Sequence, residues 1–250
     1  MLAVAGKGGT GKTTVAALLV RLIQENKLGS VLAIDADPNS NLAEALGVKP
    51  KQTIGEILDK IARDPSRVPA GMPKERFIEY EIQTAIEEVG GFDILTMGRP
   101  EGPGCYCYVN NVLRNIIAKF IKDYGYVVID NEAGLEHLSR RTTRSADTLL
   151  VISDATPAGL RAAKRISELV RELEIKVQKS FLVINRANLK DQCRALKNRE
   201  RLVGASPEFL GFLPLDRKIN RISLNGNSLM QLENNALAWV ALRKLKDKIL

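Results

Sequence analysis

The start of the chain places three short patterns in an order that few folds accommodate. An apolar run, LAVAG, precedes the glycine-rich segment GKGGTGKTT, and VAALLVRLIQE follows with apolar residues at helical spacing. This order predicts a β-strand, a tight loop and the N-terminus of a helix. Glycines let a loop turn sharply enough for successive N–H groups to face one anion, and a helix N-terminus favours the same charge. The sequence therefore predicts a phosphate-binding loop.

The loop satisfies the pattern G-x-x-x-x-G-K-[ST] with Gly6, Gly11, Lys12 and Thr13. In this pattern the lysine reaches the outer phosphates of a nucleoside triphosphate, and the hydroxyl is placed to bind Mg²⁺. The loop also carries a second lysine, Lys7, which the pattern does not require. The predicted nucleotide-binding residues of the loop are Gly8, Gly9, Thr10, Gly11, Lys12, Thr13 and Thr14.

Strand-like apolar runs recur along the chain with helical segments between them. They are SVLAIDA, FDILTM, YVVID, TLLVIS, SFLVIN and EFLGFLP. Most are uniformly apolar rather than alternating, as in parallel strands that helices cover on both faces. The chain has 250 residues, 45% of them hydrophobic, and no low-complexity linker. We therefore predict a single P-loop domain over residues 1–250, an α/β fold with a doubly wound, mostly parallel sheet flanked by helices.

Ligands bind such sheets at the carboxyl ends of the strands, so the residues after each run are candidates for chemistry. The polar turn DADPNSNL carries Asp35 and Asp37, which could help to hold Mg²⁺ or orient a water at a γ-phosphate. An Asx-rich turn that caps the next helix fits this segment equally well when it is taken alone, and the phosphate loop upstream favours the first interpretation. Asp130 ends YVVID, where a carboxylate typically holds the hydration shell of Mg²⁺. NEAGLEH follows it, and its Gly134 predicts a segment that switches with the γ-phosphate.

Asn185 ends the run SFLVIN and is followed by Arg186. A guanine-reading loop would carry an aspartate where Asn188 stands, and that carboxylate is missing. The amide of Asn185 can donate and accept on an adenine edge, so we predict ATP as the nucleotide, with Asn185 and Arg186 as contacts. Leu213-Pro214-Leu215-Asp216 could border the base or ribose, or could simply form a turn.

Cys105 and Cys107 flank one tyrosine between GPG and a helical segment. In an extended segment, residues i and i+2 project to one side, so both sulfurs can face one metal ion. The helix N-terminus favours the thiolate form that coordinates metals. Two thiolates do not complete a tetrahedral site, but a second chain related by two-fold symmetry would supply the other two. The alternative is a pair of buried thiols without a metal.

Composition limits the location and the partners. The start MLAVAG is too short for a signal peptide, no apolar run approaches the length of a bilayer, and three cysteines make no disulfide framework. We therefore expect a cytoplasmic protein. The net charge of +8 raises the question of a polyanionic partner, but a solvated basic face is the simpler account. We expect no nucleic acid and no membrane as partners.

GKGGTGKTT, with its early lysine, resembles the deviant phosphate loop of the MinD and ParA group of dimeric ATPases. GPGCYCYVNN, DNEAGLEH and DADPNSNL resemble the CooC-type maturation factors of nickel carbon monoxide dehydrogenase and acetyl-CoA synthase. The resemblance implies a homodimer that forms on ATP binding, in which Lys7 reaches across to the partner's phosphates. It implies catalytic roles for Lys7, Lys12 and Asp37, the last by positioning the attacking water.

The same resemblance implies that Thr13 and Asp130 hold Mg²⁺, and that Cys105 and Cys107 bind Ni²⁺ or Zn²⁺ between subunits. The implied function is an ATP-dependent metallochaperone, in which ATP binding and hydrolysis drive a dimerisation cycle that delivers nickel to carbon monoxide dehydrogenase or acetyl-CoA synthase. The stretch between Ala45 and Gly91 offers no matching motif, which leaves the client-binding surface undefined.

Two other functions compete with this one. A positioning ATPase of the MinD and ParA type would bind DNA or a membrane, and ALAWVALRKLKDKIL could supply a basic amphipathic helix with Trp239, Leu242 and Ile249 on one face. Packing of that face on the protein's own sheet is the commoner outcome. An iron–sulfur reductase resembling the nitrogenase iron protein would draw its two cysteines from separate loops, whereas here both sit in one.

Overall fold

The computed structural model describes residues 1–99, 118–119, 121–132, 145–204 and 206–250. Cys105, Cys107 and Gly134 lie outside the described residues, so the predictions for the cysteine pair and for the switch segment fall there.

The described residues contain a central sheet with helices between its strands. The strands are β1 (Leu2–Gly6), β2 (Val31–Asp35), β3 (Glu87–Val89), β4 (Phe92–Thr96), β5 (Tyr126–Asp130), β6 (Ser145–Ser153), β7 (Lys176–Ile184) and β8 (Glu208–Phe212). The helices are α1 (Lys12–Glu25), α2 (Asn41–Leu46), α3 (Ile54–Arg63), α4 (Lys74–Thr84), α5 (Pro157–Glu172), α6 (Leu189–Leu202), α7 (Arg217–Leu224) and α8 (Leu237–Ile249). Short 3₁₀ turns cover Pro65–Arg67, Ile121–Asp123 and Leu229–Gln231.

The strand order is β3-β4-β2-β5-β1-β6-β7-β8. Strand β3 pairs antiparallel with β4, and every other pairing among the described strands is parallel. This confirms the predicted doubly wound, mostly parallel fold. The sequence does not predict β3, because its three residues, EEV, carry no apolar run. Its position at the sheet edge explains why a short, charged strand suffices there.

Side chains of β1 alternate between two apolar layers, as the period of a strand requires. Leu2 and Val4 join the layer formed with α1, α2 and α8, whereas Ala3 and Ala5 join the layer formed with α5 and α6. A third cluster packs α3 and α4 against β2 and β5 on the second face. Helices therefore cover both faces, which accounts for the uniformly apolar strands.

Helix α8 buries its apolar face in the first of these layers. Trp239 and Leu242 are fully buried and Ile249 is 1% exposed. The amphipathic face that the sequence offers for a membrane is therefore already packed on the protein itself. In the part of the chain that the structure describes, no helix combines the length and apolar character needed to cross a bilayer.

The strand order also decides which loops meet. Strands β2, β5, β1, β6 and β7 are neighbours, and all run parallel, so their carboxyl ends lie along one edge. The glycine-rich loop follows β1, Asp130 ends β5 and Asn185 follows β7. Residues that are far apart in sequence are thereby brought to one edge of the sheet.

Candidate nucleotide-binding site

The glycine-rich loop is closed by bonds to its own backbone. The carbonyl oxygen of Lys7 accepts from the Thr10 hydroxyl at 2.8 Å and from the Lys12 ammonium at 3.5 Å. Gly11 has a φ of 89°, and a Cβ there would lie 2.4 Å from Nδ2 of Asn185. This position therefore requires glycine both for its backbone conformation and for the close approach of a side chain.

The two lysines of the loop have different surroundings. Lys12 begins α1, is only 8% exposed and points its ammonium back toward the loop backbone. Lys7 is exposed on the outer side of the same loop. Lys12 is placed to meet an anion bound within the loop, whereas Lys7 is accessible to a group that approaches from outside.

A cavity of about 490 Å³ opens along this loop and the start of α1. Its volume is in the range typical of cofactor sites, about 300–1,000 Å³. Residues from four places line it: the loop with Arg186, the segment before and within α2, the end of α7 with the segment after it, and Glu132. The lining residues are Gly8, Gly9, Gly11, Lys12, Thr13, Thr14, Asp37, Asn39, Asn41, Glu44, Ala45, Glu132, Arg186, Ser223, Gly226, Asn227 and Leu229.

Asp35, at the end of β2, is fully buried. Its carboxylate accepts from the backbone N–H groups of Asp37, Leu42 and Ala43 at 3.2, 2.8 and 3.2 Å. Burial raises the pKa of Asp35 to about 6, although these three hydrogen bonds act to lower it. Asp35 thus supplies the acceptor for free N–H groups at the start of α2, which is the capping alternative for this turn.

Asp130 ends β5 next to Asp35 and is 1% exposed. Neither of its carboxylate oxygens has a hydrogen-bond partner among the described residues. Burial raises the pKa of Asp130 to about 7. The charge of Asp35 acts in the same direction, while the Lys12 ammonium and the Thr13 hydroxyl act to lower it, the hydroxyl without completing the geometry of a hydrogen bond.

A buried carboxylate that accepts no hydrogen bond, close to a hydroxyl, offers the oxygen ligands that suit a hard cation. Mg²⁺ prefers oxygen ligands and keeps several waters, so two protein oxygens are enough to hold it beside a phosphate. The surroundings of Thr13 and Asp130 therefore fit Mg²⁺. Their role as its ligands stays a prediction.

Asp37 lies on the cavity wall and is half-buried. Its Oδ1 accepts from the backbone N–H and from the side-chain amide of Asn39, both at 2.9 Å. The turn thus combines both alternatives that the sequence left open, because Asp35 caps the helix and Asp37 faces the cavity. The function of Asp37 in positioning a water stays a prediction.

Asn185 and Arg186 both contact the loop. Asn185 donates from Nδ2 to the carbonyl oxygen of Thr10 at 2.8 Å, and its Oδ1 accepts from the Arg186 N–H at 2.9 Å. Arg186 donates from Nη1 to the carbonyl oxygen of Gly9 at 3.1 Å. Arg186 lines the cavity, but Asn185 is buried behind the loop. Adenine recognition by Asn185 stays a prediction. The structure adds that Asn185 and Arg186 form hydrogen bonds to the backbone of the loop, contacts that no local sequence motif predicts.

Asp216, the last residue of the predicted strand end near the base, caps two helices. Its Oδ1 accepts from the Lys218 N–H at 2.9 Å at the start of α7, and its Oδ2 accepts from the Ala238 N–H at 3.0 Å in α8. Of the two alternatives for this segment, the contacts of Asp216 are those of turn and cap chemistry.

The sequence from residue 1 to residue 229 matches the family of the CobQ/CobB/MinD/ParA nucleotide binding domain. The chain belongs to this family. Its membership agrees with the order of strand, loop and helix described above, and with a cavity lined by that loop. Membership of the CobQ/CobB/MinD/ParA family explains the nucleotide-binding fold of this chain.

Relatives within the CobQ/CobB/MinD/ParA family differ in how closely they match. An uncharacterised ATP-binding protein of Methanocaldococcus jannaschii is 41% identical over 252 residues, which cover 100% of this chain and 98% of the relative. The carbon monoxide dehydrogenase accessory protein CooC of Rhodospirillum rubrum is 31% identical over 193 residues, 70% of each chain. The structure of MinD with Mg-ADP from Pyrococcus horikoshii superposes with a TM-score of 0.71 at 20% identity, covering 99% of this chain and 94% of that one, which shows the shared fold.

Proposed function

We propose that this protein binds ATP with Mg²⁺ in the cavity and hydrolyses the ATP as a dimer. The observation that carries the proposal is the contrast between the two lysines of one loop. Lys12 is buried against the loop, where it serves the nucleotide of its own chain, and Lys7 is exposed, where it can serve the nucleotide of a second chain. Hydrolysis that needs Lys7 from a second copy would wait for dimerisation.

Each residue of the site has a role in this mechanism. The loop N–H groups and Lys12 bind the phosphates, and Thr13 and Asp130 hold Mg²⁺. Held there, Mg²⁺ would neutralise part of the charge of the phosphates. Asp37 lines the cavity and orients the attacking water. Lys7 of the second copy neutralises the charge that develops on the phosphates during transfer.

We propose further that this cycle delivers nickel to a client enzyme, carbon monoxide dehydrogenase or acetyl-CoA synthase. The support is the 31% identity with the carbon monoxide dehydrogenase accessory protein CooC over 70% of this chain, together with Cys105 and Cys107. Two chains would contribute four thiolates, and the ion they bind is cargo rather than a resident cofactor. Four thiolates also accept Zn²⁺, so the donor set alone does not select nickel.

Anaerobic titration with Ni²⁺ tests the metallochaperone, with and without a non-hydrolysable ATP analogue. We expect half an equivalent of Ni²⁺ per chain, nickel–thiolate charge-transfer absorbance, and a dimer mass that requires the analogue. Cys105→Ala and Cys107→Ala should each abolish the absorbance, and Cys193→Ala, which removes an exposed thiol elsewhere, should not. Nickel binding that survives both of the first two substitutions would rule the proposal out.

The positioning ATPase is the competing function. The fold likeness to MinD agrees with it, but the apolar face of α8 that would bind a membrane is buried, with Trp239 at its centre. Co-sedimentation with anionic liposomes and with DNA in the presence of ATP separates the two functions. ATP-dependent binding to either polymer would favour the positioning ATPase.

A further inference from the structure

The phosphate loop is tied to the end of β7 by two side chains that the mechanism above does not use. Asn185 donates to the carbonyl oxygen of Thr10 at 2.8 Å, and Arg186 donates to the carbonyl oxygen of Gly9 at 3.1 Å. These bonds span 175 and 177 residues of sequence. Two consecutive carbonyls of the loop are thus held by one neighbouring strand end.

Holding these carbonyls fixes the direction of the N–H groups that follow them. In a trans peptide unit the C=O and N–H bonds point in opposite directions. The bond from Asn185 to the Thr10 carbonyl therefore turns the N–H of Gly11 away from Asn185. Loop N–H groups are the groups that bind phosphate. The contact with Asn185 thus sets part of the anion-binding surface before any phosphate arrives.

The surroundings leave the buried side chain of Asn185 little freedom, whereas Arg186 is exposed. The amide of Asn185 is oriented at both ends, because its Oδ1 accepts from the Arg186 N–H at 2.9 Å. The missing Cβ of Gly11 is what lets this amide approach the loop. Arg186 has a φ of 56°, a left-handed conformation that costs a residue with a side chain some free energy. Strain of this kind persists where neighbouring contacts hold the residue in place, here the bond to Gly9.

We propose that Asn185 and Arg186 are positioning residues that preset the phosphate loop for a triphosphate. The inference rests on the proposed nucleotide site and gives both residues a task that differs from contact with adenine. A loop that already has its bound shape needs less ordering when the ligand arrives, so affinity for the phosphates rises. The effect acts through the loop and is independent of the base.

Inorganic tripolyphosphate separates this task from base recognition. Loss of one positioning hydrogen bond in Asn185→Ala should weaken ATP and tripolyphosphate by the same factor, about fivefold to tenfold. A contact with adenine would weaken ATP and leave tripolyphosphate unchanged. Both affinities are measured by competition against a fluorescent ATP analogue. Asn26→Ala, at an exposed asparagine at the far end of α1, removes a bond from the side-chain amide to the Leu22 carbonyl oxygen; it is the matched control and should change neither.

Arg186 allows the side chain and the strained backbone to be tested separately. Arg186→Ala and Arg186→Gly both remove the bond to Gly9, but only glycine relieves the strain at a φ of 56°. If the guanidinium positions the loop, both variants should lose the same factor for tripolyphosphate, and Arg186→Lys should recover part of it. Arg194→Ala removes an exposed arginine of α6 and serves as the control.

Two results would overturn the inference. One is a variant of Asn185 or Arg186, with a melting temperature equal to that of the wild type, that binds tripolyphosphate as tightly as the wild type. The other is a loss in Arg186→Ala that Arg186→Gly fully restores, because the side chain would then be irrelevant. If the wild type bound neither ATP nor tripolyphosphate, the proposed nucleotide site itself would fail, a result that the same titrations report separately.

Discussion

Asp35 and Asp130 stand opposite each other on neighbouring parallel strands, and of the two only Asp35 has hydrogen-bond donors within the described residues. Both carboxyls are buried, and burial raises both pKa values, to about 6 for Asp35 and about 7 for Asp130. The two carboxyls thus occupy equivalent positions in the sheet but differ in their hydrogen-bond partners. The N–H groups at the start of α2 satisfy Asp35, whereas Asp130 has no donor among the described residues.

Replacement of Asp130 by asparagine should stabilise the nucleotide-free protein at high pH. The pKa of Asp130 is raised from 3.8 to about 7, so the folded state binds a proton that the unfolded chain has lost between about pH 4 and pH 7. Stability therefore falls as the pH rises through this window, and the cost is complete above it. Asp130→Asn removes that cost, on the order of 2–4 kcal/mol at pH 8 without Mg²⁺.

Thermal or urea unfolding at pH 5 and pH 8 measures the effect. The advantage of Asp130→Asn over the wild type should be larger at pH 8 than at pH 5. Saturating Mg²⁺ and ADP should reverse it, because the wild type alone retains the carboxylate that we propose as a ligand of the cation. An advantage that does not change with pH would contradict the assignment of Asp130 as a buried, donor-free carboxylate.

Replacement of Asp35 by asparagine should stabilise the protein less than Asp130→Asn does. The pKa of Asp35 is raised only to about 6, so ionising it between about pH 4 and pH 6 costs less than ionising Asp130. The carboxylate also accepts N–H groups on both oxygens, from Asp37 on Oδ1 and from Leu42 and Ala43 on Oδ2. An amide offers one oxygen, so its NH₂ group would face at least one N–H donor. We expect Asp35→Asn to be less stable than Asp130→Asn by about 1–3 kcal/mol at pH 8 in urea unfolding. Equal stability of the two variants would show that these bonds contribute nothing net.

The parts of the molecule that were predictable from sequence are those encoded locally. The glycine pattern around Gly11 and Lys12 is contiguous, and its backbone requirements act within the loop itself. The apolar runs predicted a parallel sheet because burial on both faces leaves no polar alternation, and the strand order confirms it. The short edge strand Glu87–Val89 was missed because an edge strand needs little burial.

The contacts that were not predictable join distant segments. The bond between Asn185 and Thr10 forms because β7, β6 and β1 lie next to one another in the sheet. The sequence around neither residue encodes this order. The difference in hydrogen bonding between Asp35 and Asp130 depends on where α2 begins. The N–H groups of α2 donate to Asp35, and Asp130 has no hydrogen-bond partner among the described residues. The sequence marks an aspartate at a strand end as a candidate site residue. The packing around it decides whether it caps a helix or stays without a hydrogen-bond partner.

The two loop lysines should separate nucleotide binding from hydrolysis. Lys7→Ala removes an exposed side chain, so ATP affinity should stay within about threefold of the wild type, while the ATPase rate falls by about 100-fold or more because the cation supplied across the dimer is lost. Lys12→Ala should lose nucleotide binding itself. Lys49→Ala, at an exposed lysine away from the cavity, is the control. Equal loss of binding in Lys7→Ala and Lys12→Ala would argue against a role across the dimer.

Arg21 should matter for stability and not for the nucleotide site. It is buried in α1 with its guanidinium 4.4 Å from the centroid of the Trp239 ring, and it donates to the Leu232 carbonyl, to Asn234 at 2.7 Å and to Glu25 at 2.6 Å. These contacts join α1 to the segment that leads into α8. Arg21→Ala leaves the buried Leu232 carbonyl oxygen unpaired and removes the cation from the ring.

We expect Arg21→Ala to cost about 3 kcal/mol, seen as a lower urea midpoint with an unchanged slope. ATP affinity under native conditions should equal that of the wild type, because the side chain does not line the cavity. Arg243→Ala, at an exposed arginine of α8, is the control and should change stability by less than about 0.5 kcal/mol. A loss of ATP affinity in a folded Arg21→Ala protein would mean that the contact with Trp239 shapes the phosphate loop through α1.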